Sequence, residues 1–306
     1  MTSRLFLATA LLLAALVAPA AAVPPTTIGD EPALAVGIGD QKPAMFTDRR
    51  FEDLGIAHAR LLVPWDAMTS SWQRTEINTW MVAARAAAVE PLITFGHSRL
   101  RGRRRTLPTQ ARFRREFRQF RKRYPWVRNY ATWNEANHCG EPTCNKPKVA
   151  AGYWRAMKAE CPSCRILAAE MLDMPNMTRW VKAFRKAARV EPRYWGLHNY
   201  IDANRFRTAS TKALIKATKG EIWLTETGGI VKRRNRSNVG FAESPAHAAK
   251  ALRWLFDRLI PLSPRITRVY LYHWNSTTQK DSWDSAFIDY RGRARPSLTV
   301  LRNRLP

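Results

Sequence analysis

The feature that most constrains the fold is a regular alternation of two patterns along almost the whole chain. Short apolar runs alternate with longer segments in which apolar residues recur at helical spacing. The short runs predict eight strands, at residues 33–37, 59–65, 89–95, 130–133, 166–171, 194–198, 221–225 and 268–272. An alternation of strands and helices is typical of proteins built around a parallel sheet.

The longer segments predict helices between these strands. In the clearest one, Phe113, Phe117 and Phe120 fall on one face, while Pro108 and Thr109 suit a helix start. Five segments have this character, at residues 72–88, 108–124, 148–160, 177–188 and 244–259. Each is about as long as a crossover connection between two parallel strands.

Eight such units, with no internal linker rich in Pro, Gly or Ser, predict an α/β fold with a single (β/α)8 TIM barrel over residues 33–306. Barrels of this type use roughly 250 residues as one domain, so the chain length does not require two domains. The alternative is an open, doubly wound sheet. The barrel is the better prediction because no Gly-x-Gly-x-x-Gly follows an early strand.

The first 22 residues have the pattern of a secretory signal peptide. Arg4 precedes an apolar run over residues 5–17, and Pro19 with the alanines at 20–22 supplies the small residues of a cleavage site. We expect cleavage after residue 20 or 22 and a short linker over residues 23–32. The mature protein is then secreted, or associated with the cell surface. The alternative is an uncleaved anchor, because residues 5–23 are nearly long enough to span a bilayer.

Export also determines how the four cysteines are interpreted. Cys139 and Cys144 are separated by four residues, and Cys161 and Cys164 by two, a spacing that a four-thiolate zinc site could also use. Paired cysteines in an oxidising compartment usually form disulfides, so we predict two disulfides and no metal. Four cysteines allow three connectivities, and the two local pairings are our working choice.

Catalytic residues of a (β/α)8 barrel lie at the carboxyl ends of its strands and in the loops that follow. Two predicted strands made otherwise of apolar or small residues lead into carboxylates, Glu135 and Glu226. Cleavage of a glycosidic bond requires two carboxyl groups, one protonated to assist the leaving oxygen and one ionised to attack or stabilise the sugar centre. Other polar or aromatic candidates at the strand ends are Arg60, Trp65, His97, Asn134, His198, Tyr200 and Trp274.

These strand-end motifs resemble clan A of the retaining glycoside hydrolases. The likeness rests on Thr132-Trp133-Asn134-Glu135 at the fourth strand and on Trp223-Leu224-Thr225-Glu226-Thr227-Gly228 at the seventh. It extends to Arg60 on the second strand, His198-Asn199-Tyr200 on the sixth, Tyr272-His273-Trp274 on the eighth and Trp283-Asp284-Ser285 in the tail. The resemblance covers nearly the whole mature chain and implies a glycosidase that needs no cofactor.

The resemblance also implies a role for each matching position. Glu135 is expected to be the general acid/base, and Glu226 the nucleophile that forms a glycosyl-enzyme intermediate. Six further residues are expected to serve them or the substrate: Arg60 and Tyr200 as hydrogen-bond partners of the nucleophile, Asn134 on the sugar 2-hydroxyl, His97 and His198 along the subsite of the reactive sugar, and Trp274 as its stacking floor.

Charge is the other distinctive property of the sequence. The chain has 51 Lys and Arg residues against 24 Asp and Glu, which gives a formal charge of +27. Thirteen of the basic residues lie between residues 99 and 128, where Glu116 is the single acid. The basic residues on the polar side of the helix at 108–124 are expected to form an ordinary solvated face. The five arginines between 99 and 105 follow His97, where a cationic rim predicts attraction of anionic polymers. Candidates are uronate-containing glycans, phosphorylated cell-wall polymers and an anionic envelope surface.

We therefore predict a secreted, monomeric, retaining β-glycosidase that hydrolyses a polysaccharide or glycan by double displacement. One alternative is a carbohydrate-binding barrel that has lost turnover, although neither carboxylate is missing here. The other is a basic protein that binds nucleic acid or an envelope surface. No nucleic-acid-binding motif accompanies the charge, so no nucleic-acid partner is expected. An apolar content of 45% excludes a disordered basic tail.

Overall fold

The computed structural model describes residues 34–233, 241 and 243–305. Eight parallel strands close into a barrel in which each strand pairs with the next and the last pairs with the first. The strands are β1 (Ala35–Gly39), β2 (His58–Pro64), β3 (Glu90–Gly96), β4 (Asn129–Ala131), β5 (Arg165–Leu172), β6 (Tyr194–His198), β7 (Glu221–Thr227) and β8 (Ile266–Tyr272). The predicted (β/α)8 barrel is confirmed.

Helices follow the strands and surround the barrel. They are α1 (Arg49–Glu52), α2 (Ser71–Ala86), α3 (Gln110–Arg123), α4 (Pro147–Glu160), α5 (Met177–Ala188), α6 (Tyr200–Asn204), α7 (Ala209–Ala217), α8 (Pro245–Trp254) and α9 (Pro296–Arg302). The helices α2 to α5 begin and end within two residues of their predicted positions.

The prediction of one helix over residues 244–259 was wrong in detail. After α8 the chain continues as a π turn, Leu255–Leu259, and a 3-10 turn, Ile260–Leu262. Pro261 lies in the second turn and has no N–H group with which to continue the α-helical hydrogen bonds. The structure also starts β1 two residues later than predicted, and it places α6 and α7 where no helix was predicted.

Apolar side chains pack in two layers, inside and outside the barrel. The interior cluster takes one residue from each of six strands: Leu92, Ala131, Leu167, Tyr194, Trp223 and Tyr270. In the outer layer, the ring of Phe95 on β3 lies 5.7, 5.9 and 5.6 Å from the rings of Phe113, Phe117 and Phe120 on α3. Burying each ring contributes about 2 kcal/mol. The phenylalanine spacing seen in the sequence is thus the face that packs α3 onto the barrel.

The other face of α3 is solvated, as predicted. Thr109 caps the helix, because its hydroxyl accepts a hydrogen bond from the amide of Arg112 at 3.2 Å. Arg114 and Arg118 pair with Glu160 at the surface. Exposed ion pairs of this kind contribute little to stability. The basic residues on this face of α3 are therefore explained by contact with solvent and need no binding partner.

The four cysteines form two local disulfides, as predicted. One joins Cys139 to Cys144 and closes the loop after β4, and the other joins Cys161 to Cys164 between α4 and β5. No cysteine remains as a free thiol, so none is available for the alternative zinc site. The first disulfide matters for the site because its loop follows Glu135 directly.

The predicted signal peptide (1–22) and linker (23–32) lie outside the described residues. Within residues 34–233 and 243–305, every helix is too short or too polar to cross a bilayer.

Candidate active site

A cavity of about 430 Å³ opens at the carboxyl end of the barrel. Its walls come from the ends of β4 to β8 and from the segment that follows β8, as expected for a barrel of this type. The lining residues are Glu135, His138, Leu172, Asp173, Tyr200, Ile201, Glu226, Ile230, Arg233, Tyr272 and Trp283. The two carboxylates singled out in the sequence therefore face one cavity.

Glu135 and Glu226 approach each other from β4 and β7. One oxygen of each carboxyl group and one ring nitrogen of His198 all lie within 4.8 Å of one another. Glu135 is 23% exposed and Glu226 is 17% exposed, so both can meet a molecule in the cavity. Glu135 also has a backbone φ of 42°, a left-handed conformation that is strained for a residue with a Cβ atom and is often found at functional sites.

Both oxygens of Glu226 have fixed hydrogen-bond donors. The Arg60 guanidinium donates from Nη1 to Oε2 at 2.8 Å, and the Tyr200 hydroxyl donates to Oε1 at 3.2 Å. Burial raises the pKa of Tyr200 well above its ordinary value, and the negative charge of Glu226 raises it further. Tyr200 therefore stays a neutral donor, and the two contacts hold the Glu226 carboxyl group in one orientation.

A third carboxylate, Glu170 of β5, supports this arrangement from below. Arg60 donates to both of its oxygens, and Arg60 also donates to the Asn134 side-chain oxygen at 2.7 Å. Burial raises the pKa of Glu170, but the charges of Arg60 and His198 outweigh it and lower the pKa to about 2. The ionised Glu170 thus fixes the guanidinium that in turn fixes Glu226. Sequence analysis missed Glu170, which lies inside an otherwise apolar strand.

The neighbouring strand makes room for Glu170 with a glycine. A Cβ atom built on Gly196 of β6 falls 2.7 Å from the Glu170 Cγ atom and 2.9 Å from the Thr225 hydroxyl. Contacts this short do not occur in folded proteins, so a larger residue at 196 displaces the carboxylate. Glu170 could therefore have been found in the sequence from two features together: a charged residue within an apolar strand, and a glycine in the next strand.

His198 connects the two halves of the site. Its Nδ1 lies 3.2 Å from Glu135 Oε1, and its Nε2 lies 3.4 Å from Glu170 Oε2. Burial lowers the pKa of His198, but the charge of Glu226 and the contacts with Glu135 and Glu170 outweigh it and raise the pKa to about 9. His198 is consequently an imidazolium at neutral pH. His198 is completely buried and lies beneath the cavity. The sequence predicted that it would line the subsite of the reactive sugar, and it does not.

The charge on His198 also acts on Glu135. Burial raises the pKa of Glu135, but the hydrogen bond and charge of His198, followed by the charges of His138 and Arg60, lower it overall. At neutral pH His198 is therefore the protonated member of the pair, and its Nδ1 proton lies in a 3.2 Å hydrogen bond to Glu135 Oε1, the path by which Glu135 would receive a proton. Glu135 can deliver or accept a proton at the cavity, whereas Glu226 presents an oriented carboxylate.

We expect Glu226→Gln to lower the pKa of His198 toward the ordinary histidine value, because Glu226 is the largest of the charges that raise it. A histidine NMR titration of the six imidazoles measures this directly. Glu52→Gln, on α1 and away from the cavity, is the matched control and should leave the His198 titration unchanged. A His198 signal that titrates identically in all three proteins contradicts this electrostatic description.

The loop after Glu135 is held by a second buried carboxylate, Glu141. One oxygen of Glu141 lies 2.7 Å from the His97 Nδ1 atom, and the other accepts from the Trp133 indole at 3.0 Å. His97 is 21% exposed and does not line the cavity, so it secures this loop where a direct sugar contact was predicted. Glu141 was not predicted, because a carboxylate between two cysteines is indistinguishable in sequence from a solvated loop residue.

The predicted position of Trp274 in the cavity was wrong. Its side chain is 1% exposed, its indole donates to the Asp48 carboxylate at 3.0 Å, and its ring packs edge-on against Phe51 at 5.4 Å. Trp274 therefore belongs to the outer core. The aromatic residues that do line the cavity are Tyr200, Tyr272 and Trp283.

Glu135, Glu226 and His198 lie close enough together to form a metal site by distance alone. The chemistry of the donor set does not fit one. The oxygens of Glu226 already accept from Arg60 and Tyr200, and both ring nitrogens of His198 already face carboxyl groups, those of Glu135 and Glu170. We therefore assign no metal or cofactor to these residues.

Comparison with protein families gives one match that covers more than half of the chain. The family described as glycosyl hydrolase catalytic core matches residues 110–300. None of the curated proteins compared with the sequence matches it.

Solved structures share the fold at low sequence identity. Native xylanase 10B from Thermotoga maritima has a TM-score of 0.61 and 12% identity, over 89% of this chain and 95% of that chain. GH5_18 from Streptomyces cattleya, solved with GlcNAc, has a TM-score of 0.61 and 15% identity, over 88% of this chain and 79% of that chain. A family 39 glycoside hydrolase from Bacteroides cellulosilyticus WH2 has a TM-score of 0.57 and 14% sequence identity. The match covers 89% of this chain but 63% of that chain, so this chain spans less than two thirds of the family 39 protein. At identities this low, the TM-scores show that the fold is shared, and they show the fold alone.

Proposed function

The chain belongs to the glycosyl hydrolase catalytic core family, and from this premise we propose that it hydrolyses a β-glycosidic bond with retention of configuration. The observation that carries the proposal is the distance between the two carboxyl groups, whose oxygens approach within 4.8 Å. Retaining enzymes hold these groups ~5–5.5 Å apart, and inverting enzymes ~6.5–9.5 Å apart to admit a water molecule. The distance supports direct attack by a carboxylate.

In the first step, a Glu226 oxygen attacks the anomeric carbon. The bond from this carbon to the leaving oxygen breaks, and Glu135 transfers its proton to that oxygen. The sugar is then an ester of Glu226. In the second step, Glu135 takes a proton from water, the water oxygen attacks the anomeric carbon, and the ester bond breaks to restore the Glu226 carboxylate.

The two roles follow from the partners of each carboxyl group. Arg60 and Tyr200 orient both oxygens of Glu226, as a nucleophile requires. Glu135 instead contacts His198, a group that carries a proton, and its other oxygen lies 3.7 Å from His138 at the cavity surface. We therefore assign proton transfer to Glu135 and covalent attack to Glu226.

The proposal is tested by incubating the protein with a panel of neutral and acidic glycans. The anomeric proton signals of the first product are followed by NMR before mutarotation. We expect a product with the anomeric configuration of the substrate. An inverted product contradicts double displacement, and binding of a glycan without turnover supports instead the carbohydrate-binding alternative.

We further propose that the substrate is an anionic glycan. The loop between β3 and α3 carries Arg101, Arg103 and Arg104, and the described residues include no carboxylate that pairs with them. Arg105 of the same loop donates to the backbone oxygen of Cys139 at 2.8 Å. That contact joins the arginine loop to the segment whose His138 lines the cavity, so a chain leaving the cavity on this side meets positive charge.

The anionic-substrate proposal predicts a specific salt dependence. Replacing Arg101, Arg103 and Arg104 by Gln should reduce kcat/KM on an acidic glycan on the order of tenfold at low ionic strength, and by much less at high ionic strength. A neutral glycan of the same linkage should be unaffected. The matched control removes three exposed charges from α5, at Arg179, Lys182 and Lys186, and should leave both activities unchanged. Equal losses in the two triple variants would show that net charge, not this loop, is responsible.

Export is the remaining part of the proposal. It is supported by the two disulfides, which form and persist in oxidising compartments. N-terminal analysis of protein recovered from the medium should find a start at residue 21 or 23, and a cell-retained full-length chain would favour the anchor.

A further inference from the structure

Arg233 is a charged residue of the cavity that the proposed double displacement does not use. It lines the same cavity as Glu135 and Glu226, and among the described residues of the cavity wall it is the single arginine or lysine. Its side chain is 12% exposed, so it lies against the wall and does not extend into solvent. A cation that is partly withdrawn from water attracts an anion more strongly than a solvated one does.

Two neighbouring side chains hold the Arg233 guanidinium in place. Its Nε atom donates to Glu243 Oε1 at 2.7 Å, and the backbone amide of Arg233 donates to Glu243 Oε2, also at 2.7 Å. The guanidinium lies over the Phe241 ring, 4.8 Å from the ring centroid. A ligand therefore meets a side chain that is already ordered, which lowers the entropic cost of binding.

These contacts leave the outer end of the guanidinium unused. An arginine side chain has five N–H donors, and Glu243 takes the one on Nε. The Nη1 and Nη2 atoms have no acceptor within residues 34–233, 241 and 243–305, and neither atom is among the buried unpartnered ones. They are therefore accessible, and a structural ion pair with Glu243 leaves four N–H donors available to a molecule in the cavity.

Arg233 lies on the nucleophile side of the cavity. It is the antiparallel partner of Trp283 in a two-stranded sheet. The Trp283 ring packs edge-on against the Tyr200 ring at 4.9 Å, and the Tyr200 hydroxyl donates to Glu226. This series of contacts relates Arg233 to the carboxylate that attacks the sugar, and so to the sugar that Glu226 would hold.

We propose that Arg233 is a specificity-determining residue that binds the carboxylate of a uronosyl residue, the sugar on which Glu226 acts. This inference rests on the proposed glycosidase function and its anionic substrate, and it locates one charge of that substrate. The two Nη groups of a guanidinium present parallel N–H donors that match the two oxygens of a carboxylate. The arginine loop after β3 attracts charge from a distance, whereas Arg233 recognises it by contact.

The test uses fragments of hyaluronan and polymannuronate, whose uronosyl residues are β-linked, and the same fragments after reduction of their carboxyl groups to hydroxymethyl groups. Arg233→Gln should lose on the order of tenfold to a hundredfold in kcat/KM on the acidic fragment that is hydrolysed, and less than about threefold on its reduced form. The loss should lie in KM, because the carboxylate does not react and its contact is the same before and in the transition state. It should persist at high ionic strength, because salt screens a partly buried contact weakly.

Arg185→Gln is the matched control. Arg185 of α5 donates to Glu191 at 2.7 Å, in an ion pair that is away from the cavity, so its loss should affect neither substrate. Arg233→Lys keeps a cation beside Glu243 but has no planar pair of donors. On the acidic fragment it should fall between the wild type and Arg233→Gln, and it decides the question if Arg233→Gln does not fold.

The inference is overturned if Arg233→Gln loses equally on the acidic and reduced fragments, or loses nothing on the acidic one. A wild-type enzyme that hydrolyses neutral glycans and neither acidic fragment overturns it too, and leaves the glycosidase function intact. Absence of turnover on every glycan contradicts the proposed function instead. Titration calorimetry of the acidic fragments then decides on the contact, since binding that is weakened by Arg233→Gln supports it and unchanged or absent binding overturns it.

Discussion

Glu226→Gln is expected to abolish turnover of every glycoside, including aryl glycosides with excellent leaving groups. The amide cannot form the ester with the anomeric carbon, and no leaving group compensates for a missing nucleophile. The Gln side-chain oxygen can still accept from Arg60, and its amide group can donate to the Tyr200 hydroxyl oxygen, so the side chain keeps two hydrogen-bond partners. Steady-state rates on an activated aryl glycoside should fall by several orders of magnitude, with an unchanged thermal unfolding midpoint.

A covalent label distinguishes this role from a general loss of structure. A 2-fluoro glycoside of the same sugar slows hydrolysis of the ester, so mass spectrometry should find one sugar on the peptide that contains Glu226. Glu52→Gln is the control, since its carboxylate lies at the surface of α1. Near-normal turnover by Glu226→Gln, or a label on another residue, would overturn the assignment.

Glu135→Ala should have a different effect, which depends on the leaving group. General acid/base assistance is worth roughly 10² to 10⁴ in rate, so hydrolysis of an unactivated glycan should fall by that factor. A leaving group that needs no proton should recover much of the first step. The second step then becomes limiting, because no base activates water, and added azide should accelerate it by attacking the ester directly.

The product of this rescue is a glycosyl azide with the configuration of the substrate, which NMR identifies. Glu141→Ala is the matched control. It removes another carboxylate of the same loop, one that binds His97 and Trp133 and does not line the cavity. Its activity loss should be insensitive to azide and to the leaving group. Rescue of Glu226→Gln by azide in place of Glu135→Ala would exchange the two roles.

The supporting residues explain why these two similar side chains behave differently. Arg60 lies between Glu170 and Glu226 and orients the carboxylate of the latter. His198 lies between Glu170 and Glu135 and brings a proton to the latter. The buried carboxylate of Glu170 therefore holds two cations in place. Arg60 is directed at Glu226, and the His198 imidazolium is directed at Glu135.

Much of this was predictable from local patterns. The period of the apolar residues distinguishes strands from helices, and it predicted all eight barrel strands and the Phe113 face of α3. A parallel barrel gathers the carboxyl ends of its strands at one edge, so Glu135, Tyr200 and Glu226 could be expected to meet before any distance was known.

Other positions were not predictable, because the path of the chain after a strand depends on packing. Trp274 follows β8 closely, but contacts with Phe51 and Asp48 draw it into the outer core. His97 follows β3, but Glu141 draws it away from the cavity. Strand-end position alone therefore indicates nearness to the cavity and does not indicate the direction of the side chain.

The sequence by itself determined the barrel and the pair of glutamates, since both depend on residue type and on short-range spacing. It left three connectivities open for the four cysteines, and the folded chain decided for the two local pairs. Only the tertiary structure decided the charges that surround those glutamates. Glu170 and Arg60 are 110 residues apart in the chain and lie on strands that are not neighbours in the barrel, yet they form a buried ion pair. Electrostatic interactions act through space and strengthen with burial, so they depend on distances that only the folded chain defines.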